Sequence, residues 1–310
     1  MAHVRIGLLS TASINGAILG ARAADAPFSV DAVGSRSGGR AEAYAEEHGI
    51  PRAHGSYDEL LADDELDAVY IALPNALHHE WTMRALAAGK HVLCEKPYTR
   101  RAEQVDEAWD EAERRGLILT EAYMWRHAAQ TRLLVELLPR VGEIRAVDAV
   151  FTGTLNRPDD PRWVAELGGG ALLDIGCYCV SAARLVLGEP DEVRGEARLR
   201  DGVDEHFAGL LRFGDVVATF QCGLTSAFVN RIEVIGSAGV LEVPQAFVDP
   251  PGLVRLDGEE HRVEPGNHYR AEVDDFCAAV RGERSVLIDR AEMRGQARAL
   301  EALGVSLRAA

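Results

Sequence analysis

The sequence predicts an α/β domain with a doubly wound parallel sheet, followed by an α+β domain built on a large, open, mostly antiparallel sheet. Three observations carry this expectation. Up to residue 122, short apolar runs alternate with helix-like stretches of about ten or more residues, the rhythm of βαβ units. From 190 to 264, strand follows strand across short turns, the spacing of an antiparallel meander. The 310 residues leave room for two domains, so the boundary is placed near residue 122, with domains 1–122 and 123–310.

The elements follow in order. Val4–Leu9 is apolar and partly β-branched, and breaks into a polar turn before a helix-like stretch. SVDAVGS (29–35) is the second strand, after a proline-containing turn. GRAEAYAEEHG (39–49) is helical and closes on Gly49, a residue suited to the position after a helix end. Ser56 with Glu59 reads as a capping box. DAVYIAL (67–73) is a buried strand stopped by Pro74, and HHEWTMRALAAG (78–89) is a helix closed by Gly89. HVLCE (91–95) is a strand stopped by Pro97. Thr99 is expected to cap the amphipathic helix that ends at Gly116, and LILTEA (117–122) is the next strand. A helix over 127–138, a strand over 143–154 and a helix starting inside GGGALLDIGCYCVSAARLVLG come before the strand-rich region. Two helices, near 269–281 and 290–308, close the chain.

Charge and composition narrow the function. A net charge of −16 argues against nucleic acid, since a phosphate-binding face needs clustered Lys and Arg. It also disfavours an anionic membrane surface. No apolar run is expected to approach the roughly 20 residues of a spanning helix. The N-terminus enters a strand pattern at once, so no signal peptide is expected. The five cysteines are odd in number and lack C-x-x-C spacing, which reads as free thiols in a reducing cytoplasm, with no metal site. Only two lysines occur, Lys90 and Lys96, against many arginines. A retained lysine offers what arginine cannot, a proton that leaves at accessible pH. Lys90 is taken as a chance placement.

In a doubly wound sheet, ligands bind at the carboxyl ends of the strands. After the first strand, Ser10, Ala12 and Asn15 stand where a dinucleotide turn usually carries G-x-G-x-x-G. Ala12 permits close backbone approach, Ser10 and Thr11 offer hydroxyls, and the turn Ser10, Thr11, Ala12, Ser13, Ile14 leads into a helix N-terminus. Taken alone, it is equally a plain βα turn. The second strand ends in Ser35 and Arg36, with Arg40 one helical turn on. A hydroxyl and two guanidiniums suit the 2′-phosphate of NADP, where an NAD site has Asp or Glu. A solvated arginine pair is the alternative. The third strand end supplies Leu73, Pro74, Asn75 and His78. The fourth supplies Glu95 and Lys96 before Pro97, with a Lys–Pro bond open to the cis form. Trp125 and Arg126 follow the last strand and either line a nicotinamide cleft or pack. Trp163, His268 and Tyr269 are weaker substrate-side candidates.

The segments GLLSTASI, SR after the second strand, ALPNALHH, AGKHVLCEKP, EAYMWR and GGGALLDIGCY occur in this order and spacing. Together they resemble the glucose–fructose oxidoreductase/inositol dehydrogenase (Gfo/Idh/MocA) family. STA in the turn, EAYMWR and a tyrosine after DIGC are similar to its dihydrodiol dehydrogenase, NADP-dependent xylose dehydrogenase and glucose–fructose oxidoreductase branch. The resemblance implies that the turn binds a dinucleotide despite its lost glycines. It implies that Lys96 is catalytic and that Tyr178, where many members carry histidine, is its acid/base partner. It further implies an open sheet in 123–310 used for substrate binding and as an oligomer face.

The residues agree with that chemistry. A phenol is a poor base at neutral pH until a nearby ammonium favours its ionised form. Asp174 and Tyr178, four apart, share a face on a regular helix, and Asp174 is placed to orient Lys96 or a substrate hydroxyl. Helix packing for Tyr178 and capping for Asp174 remain the alternatives. The expected function is an NADP(H)-dependent oxidoreductase that moves a hydride between nicotinamide and a carbinol or carbonyl carbon of a sugar, sugar derivative or cyclic diol. The expected assembly is a homodimer or homotetramer. The alternatives are a non-catalytic nucleotide-binding sensor and a sugar–sugar oxidoreductase with a tightly held cofactor.

Overall fold

Six short strands with few polar residues build the first sheet: β1 (Val4–Leu9), β2 (Phe28–Gly34), β3 (Arg52–His54), β4 (Ala68–Ile71), β5 (His91–Glu95) and β6 (Leu119–Ala122). The computed structural model, which describes residues 3–306, pairs them in parallel in the order β3-β2-β1-β4-β5-β6. Between them run α1 (Asn15–Gly20), α2 (Gly38–His48), α3 (Tyr57–Leu61), α4 (His78–Ala87) and α5 (Ala102–Arg115). Every residue of β4 and β6 is buried, as parallel strands covered on both faces require. The strand order reverses at β1 and β4, so their carboxyl ends flank the crevice where such sheets bind ligands.

Local signals explain the helix ends, with two adjustments. Gly49 and Gly116 close α2 and α5 in the left-handed conformation, at φ 63° and 68°. Ser56 Oγ accepts the Glu59 N–H, but the Glu59 carboxylate reaches back to the Gly55 N–H and not to that of Ser56. Thr99 is not the cap expected of it. The helix opens at Ala102 after Arg101, and Thr99 Oγ1 takes the Arg101 N–H while donating to Gln104 Oε1. Lys90 is no chance surface cation: it is buried, and its Nζ donates to the carbonyls of Asp63 and Leu66.

Beyond β6 come α6 (Met124–His127), α7 (Ala129–Leu137), β7 (Ile144–Thr154), a π-helical turn at Leu172–Gly176 and α8 (Cys177–Leu187). Seven strands follow: β8 (Glu192–Arg200), β9 (Val203–Phe213), β10 (Val216–Gly223), β11 (Thr225–Gly236), β12 (Val240–Pro244), β13 (Leu253–Leu256) and β14 (Glu259–Arg262). Then come α9 (His268–Val280) and α10 (Arg290–Ser306). The second sheet has eight strands in the order β14-β13-β12-β11-β7-β10-β9-β8. It is not a simple meander. β7 lies between β10 and β11 and pairs with β10 in parallel, while the other pairings are antiparallel.

The described residues form two compact units. One runs to Met124 and includes Tyr269–Arg294; the other is Trp125–His268 with the residues from Gly295 on. The assignment of all of 123–310 to one domain is therefore corrected for 269–294. Val273, Phe276 and Cys277 of α9 are fully buried in the core formed by Val4, Ile6, Phe28 and Tyr70, so burial of this apolar face places the helix. One helical run, Ala165–Leu187, is long and apolar enough to cross a membrane, against the expectation of none. Of its apolar 18-residue window, 72% is buried inside the protein, which accounts for its apolar character.

Candidate active site

The first strand end keeps a glycine-like backbone without glycine. Ser10 sits at φ 140°, a region that favours Gly, and three hydrogen bonds hold it there. Its Oγ donates to the Ala72 carbonyl at 2.7 Å and accepts the Ala12 N–H at 3.2 Å, while buried Asn15 donates its side-chain amide to the Ser10 carbonyl at 2.8 Å. The Ser10 hydroxyl is thus directed into the protein, which corrects its expected role as a phosphate donor. The N–H groups of Asn15, Gly16 and Ala17 are likewise used on the carbonyls of Ala12, Ser13 and Ile14. In the turn Ser13 is exposed and Thr11 half-buried, while Ala12 and Ile14 both lean on the core.

At the second strand end, Ser35 is buried and its N–H donates to the His54 carbonyl. Arg36 and Arg40 are exposed. Arg40 Nη2 donates to Thr11 Oγ1 at 3.1 Å, so the arginine cluster and the β1 turn meet. Burial raises the Tyr57 phenol above its ordinary range, opposed by the charges of Arg36 and Arg40 and by a hydrogen bond from Arg36.

At the third, Leu73, Pro74 and Asn75 are half-buried. His78 is not available to a cofactor, contrary to expectation. It is wholly buried, and both ring nitrogens lie against backbone carbonyls, Nδ1 at 2.9 Å from Pro97 O and Nε2 at 2.8 Å from Leu73 O.

The fourth strand end carries the lysine. The Lys96–Pro97 peptide is cis. Glu95 Oε2 accepts the Lys96 N–H at 3.2 Å, and Glu95 Oε1 accepts from the Tyr70 hydroxyl. Burial, and then Glu95, push the Tyr70 phenol well above its ordinary range, so it stays a donor. Buried Glu121 accepts the Tyr98 N–H at 2.7 Å. Buried Glu272 of α9 joins this group: burial first, then Glu95, Asp275 and Glu121, push its carboxyl well above the usual range. Sequence reading missed Tyr70, Glu121 and Glu272. For Tyr70 the signal was a lone polar group inside the apolar strand AVYI, and for Glu121 an acid inside the fully buried strand LTEA; Glu272 has no local signal.

In the other unit, GGGALLD is explained by close approach. Gly170 sits at φ 118°, and a Cβ there would collide with the Asp204 carboxylate, whose Oδ2 takes the Leu172 N–H at 2.6 Å. The π turn over Leu172–Gly176 changes the spacing on which a shared face for Asp174 and Tyr178 was predicted. The Asp174 carboxylate meets Arg162 Nη1 at 3.3 Å, and Arg162 also forks onto Asp160. Tyr178 is buried, its ring 5.3 Å from that of Phe151 and 5.5 Å from that of Phe247. The Trp125 ring is buried edge-on against Phe247, so packing describes it, and the half-buried Arg126 guanidinium lies 5.8 Å from its centroid. Half-buried Trp163 lies under the Arg200 guanidinium at 5.1 Å. His268 is buried, and burial lowers its imidazole, opposed by Asp249. Tyr269 is half-buried in the first unit. Among the described residues, no three His, Cys, Asp or Glu side chains are grouped to hold a metal ion.

Two family models match. Residues 11–123 match the oxidoreductase family with an NAD-binding Rossmann fold, and 139–242 match the GFO/IDH/MocA C-terminal domain. The chain belongs to the Gfo/Idh/MocA family. A D-xylose 1-dehydrogenase (NADP(+)) from Haloferax volcanii is 39% identical over 284 residues, 88% of this chain and 87% of that protein. A dTDP-3,4-didehydro-2,6-dideoxy-α-D-glucose 3-reductase from Streptomyces violaceoruber is 40% identical, covering 90% of this chain and 85% of its own. A crystal structure of a 3-ketoreductase from Actinomadura kijaniata, in complex with NADP and TDP-benzene, superposes with a TM-score of 0.91 at 33% identity and 98% coverage of both chains. The expected class, an NADP(H)-dependent oxidoreductase of the Gfo/Idh/MocA family, stands, and so does the fold class.

Proposed function

We propose that this Gfo/Idh/MocA enzyme moves a hydride between NADP(H) and a carbinol or carbonyl carbon of a small sugar, sugar derivative or cyclic diol, with Lys96 and Tyr178 as its catalytic residues. The observation that carries the reading is the Lys96 turn: it stands at the carboxyl end of β5, braced by Glu95, where doubly wound sheets place their ligands. Further support comes from the Actinomadura kijaniata reductase, which has also been solved with a tyrosine-to-phenylalanine and with a lysine-to-alanine replacement.

The residues present fit NADP. The glycine-like φ of Ser10 brings the backbone of the β1 turn into the form a dinucleotide needs, and exposed Arg36 and Arg40 offer paired donors for a 2′-phosphate. The bound nicotinamide supplies or accepts the hydride. Thr11, Ala12, Ser13 and Ile14, with Leu73, Pro74, Asn75 and Glu95, form the strand-end surface that holds it. Tyr178, in the second unit, is assigned the exchange of the substrate hydroxyl's proton, and Lys96, in the first, the cationic role. Asp174, paired with Arg162, orients a substrate hydroxyl. Trp163 and Tyr269 are substrate-side surfaces.

Self-association through the second sheet is supported by exposed Leu199, Leu210, Phe228, Val229 and Ile235 on β8, β9 and β11. A reducing, cytoplasmic location is supported by five buried free thiols.

The test is a screen of aldoses, inositols, dihydrodiols and nucleotide-linked sugars with NADP⁺, read at the reduced-nicotinamide band. Turnover of a free sugar or diol is expected. Nucleotide binding without any turnover would favour a sensor, and cofactor that stays bound while two sugars exchange oxidation states would favour the sugar–sugar reaction.

A further inference from the structure

His78 opens α4 wholly buried, and its ring lies between carbonyls of two different strand-end loops. Both neighbours are acceptors: Pro97 O at 2.9 Å from Nδ1 and Leu73 O at 2.8 Å from Nε2. A neutral ring carries one N–H, so it hydrogen-bonds one carbonyl and meets the other with a lone pair. Burial holds the imidazole below its ordinary range, and the Lys96 charge acts the same way, against the carbonyls of Pro97, Leu73 and Tyr98. The ring therefore has one proton to place.

The two carbonyls are not equivalent. Pro97 is buried, it has no N–H of its own, and the next N–H, that of Tyr98, is committed to Glu121. A buried carbonyl left without a donor is costly. Leu73 is half-exposed, where water or a bound ligand can serve its carbonyl. We propose that His78 is a positioning residue for Lys96, its Nδ1–H donating to the Pro97 carbonyl and holding the lysine's turn against the loop after β4. The inference rests on the reading of Lys96 as catalytic. His78 reaches neither substrate nor cofactor; it acts through the turn it holds.

Two experiments test this on the full-length protein. In the ¹⁵N-histidine-labelled enzyme, a two-bond proton–nitrogen correlation reports which ring nitrogen is protonated, with His78 assigned by its contacts to Leu73 and Pro97 protons. A proton on Nδ1 is expected; a ring protonated only at Nε2 overturns the proposal. The second experiment compares His78→Asn with His78→Gln. The asparagine amide lies near the Nδ1 position and can still donate to Pro97 O, whereas glutamine reaches toward the Nε2 position. His78→Asn should keep most of kcat. His78→Gln should lose about tenfold to a hundredfold in kcat, the scale of a misplaced catalytic group, with KM and NADP⁺ affinity little changed. Equal kcat in the two variants, or losses that simply follow Tm, would refute the positioning role. Lys96→Met is assayed alongside: near-normal kcat there overturns the Lys96 reading and this inference with it. A dead Lys96→Met with equal His78 variants overturns the inference alone.

Discussion

Replacing Arg36 by alanine should separate NADP from NAD. Arg36 follows β2, is exposed, and its guanidinium bonds the Tyr57 hydroxyl, while Arg40 on α2 reaches Thr11 in the β1 turn. A charge-assisted hydrogen bond to a phosphate is worth about 1.5–3 kcal/mol, and solvent screening at an exposed site favours the low end. At about 1.4 kcal/mol per tenfold, Arg36→Ala should weaken NADP⁺ binding by roughly tenfold to a hundredfold. NAD⁺ carries no 2′-phosphate, so its dissociation constant should hardly move. Arg40→Ala should cost less, since Arg40 already serves Thr11, and the double variant should erase most of the discrimination. Titration calorimetry with both nucleotides measures this directly. Raising the salt should shrink the wild-type preference as well, because the charges are solvent-exposed. An equal loss for NADP⁺ and NAD⁺ in Arg36→Ala would refute the reasoning, for Arg36 would then act on the turn's structure and not on the phosphate.

Three further outcomes are expected. Tyr178→Phe should lower kcat by about 10²–10⁴-fold with nucleotide binding kept, and Lys96→Arg should not restore a lysine's function; a near-normal Tyr178→Phe rate and pH profile would remove Tyr178 from the chemistry. Ser10→Gly gives up the hydroxyl bonds to Ala72 and Ala12 but also relieves roughly 1–3 kcal/mol of backbone strain, so in denaturant unfolding it should be more stable than Ser10→Ala, which loses the same bonds and keeps the strain. Burial, then Glu95, raise the folded-state value of Glu272 above the unfolded one, so its contribution to stability is complete below the ordinary carboxyl range and is lost as pH rises through the folded value. Glu272→Gln does not titrate, so its Tm relative to wild type should climb as pH rises above the ordinary carboxyl range; a constant difference would contradict the buried neutral acid.

What could be read from the sequence was what is encoded locally. Continuous apolar runs such as AVYI mark buried parallel strands, and Gly49 and Gly116 mark helix ends, because burial and φ act on single residues and near neighbours. Lys96 was legible for a similar reason: it follows directly on a strand end in a chain with one other lysine. The role of Ser10 was not. Its φ of 140° goes with a hydrogen bond to Ala72, 62 residues away, and the same bond turns its hydroxyl into the protein. At the π turn over Leu172–Gly176, Asp204, more than 30 residues on, takes the Leu172 N–H beside Gly170. Regular helical spacing could not foresee that turn. His78 makes the point most clearly. Its position in ALPNALHH suggested a ligand contact, yet a ring with an acceptor on each nitrogen has nothing left to offer a ligand. A histidine motif beside a lysine motif thus marks two loops that must be held together, and the proton on one ring nitrogen is the group that holds them.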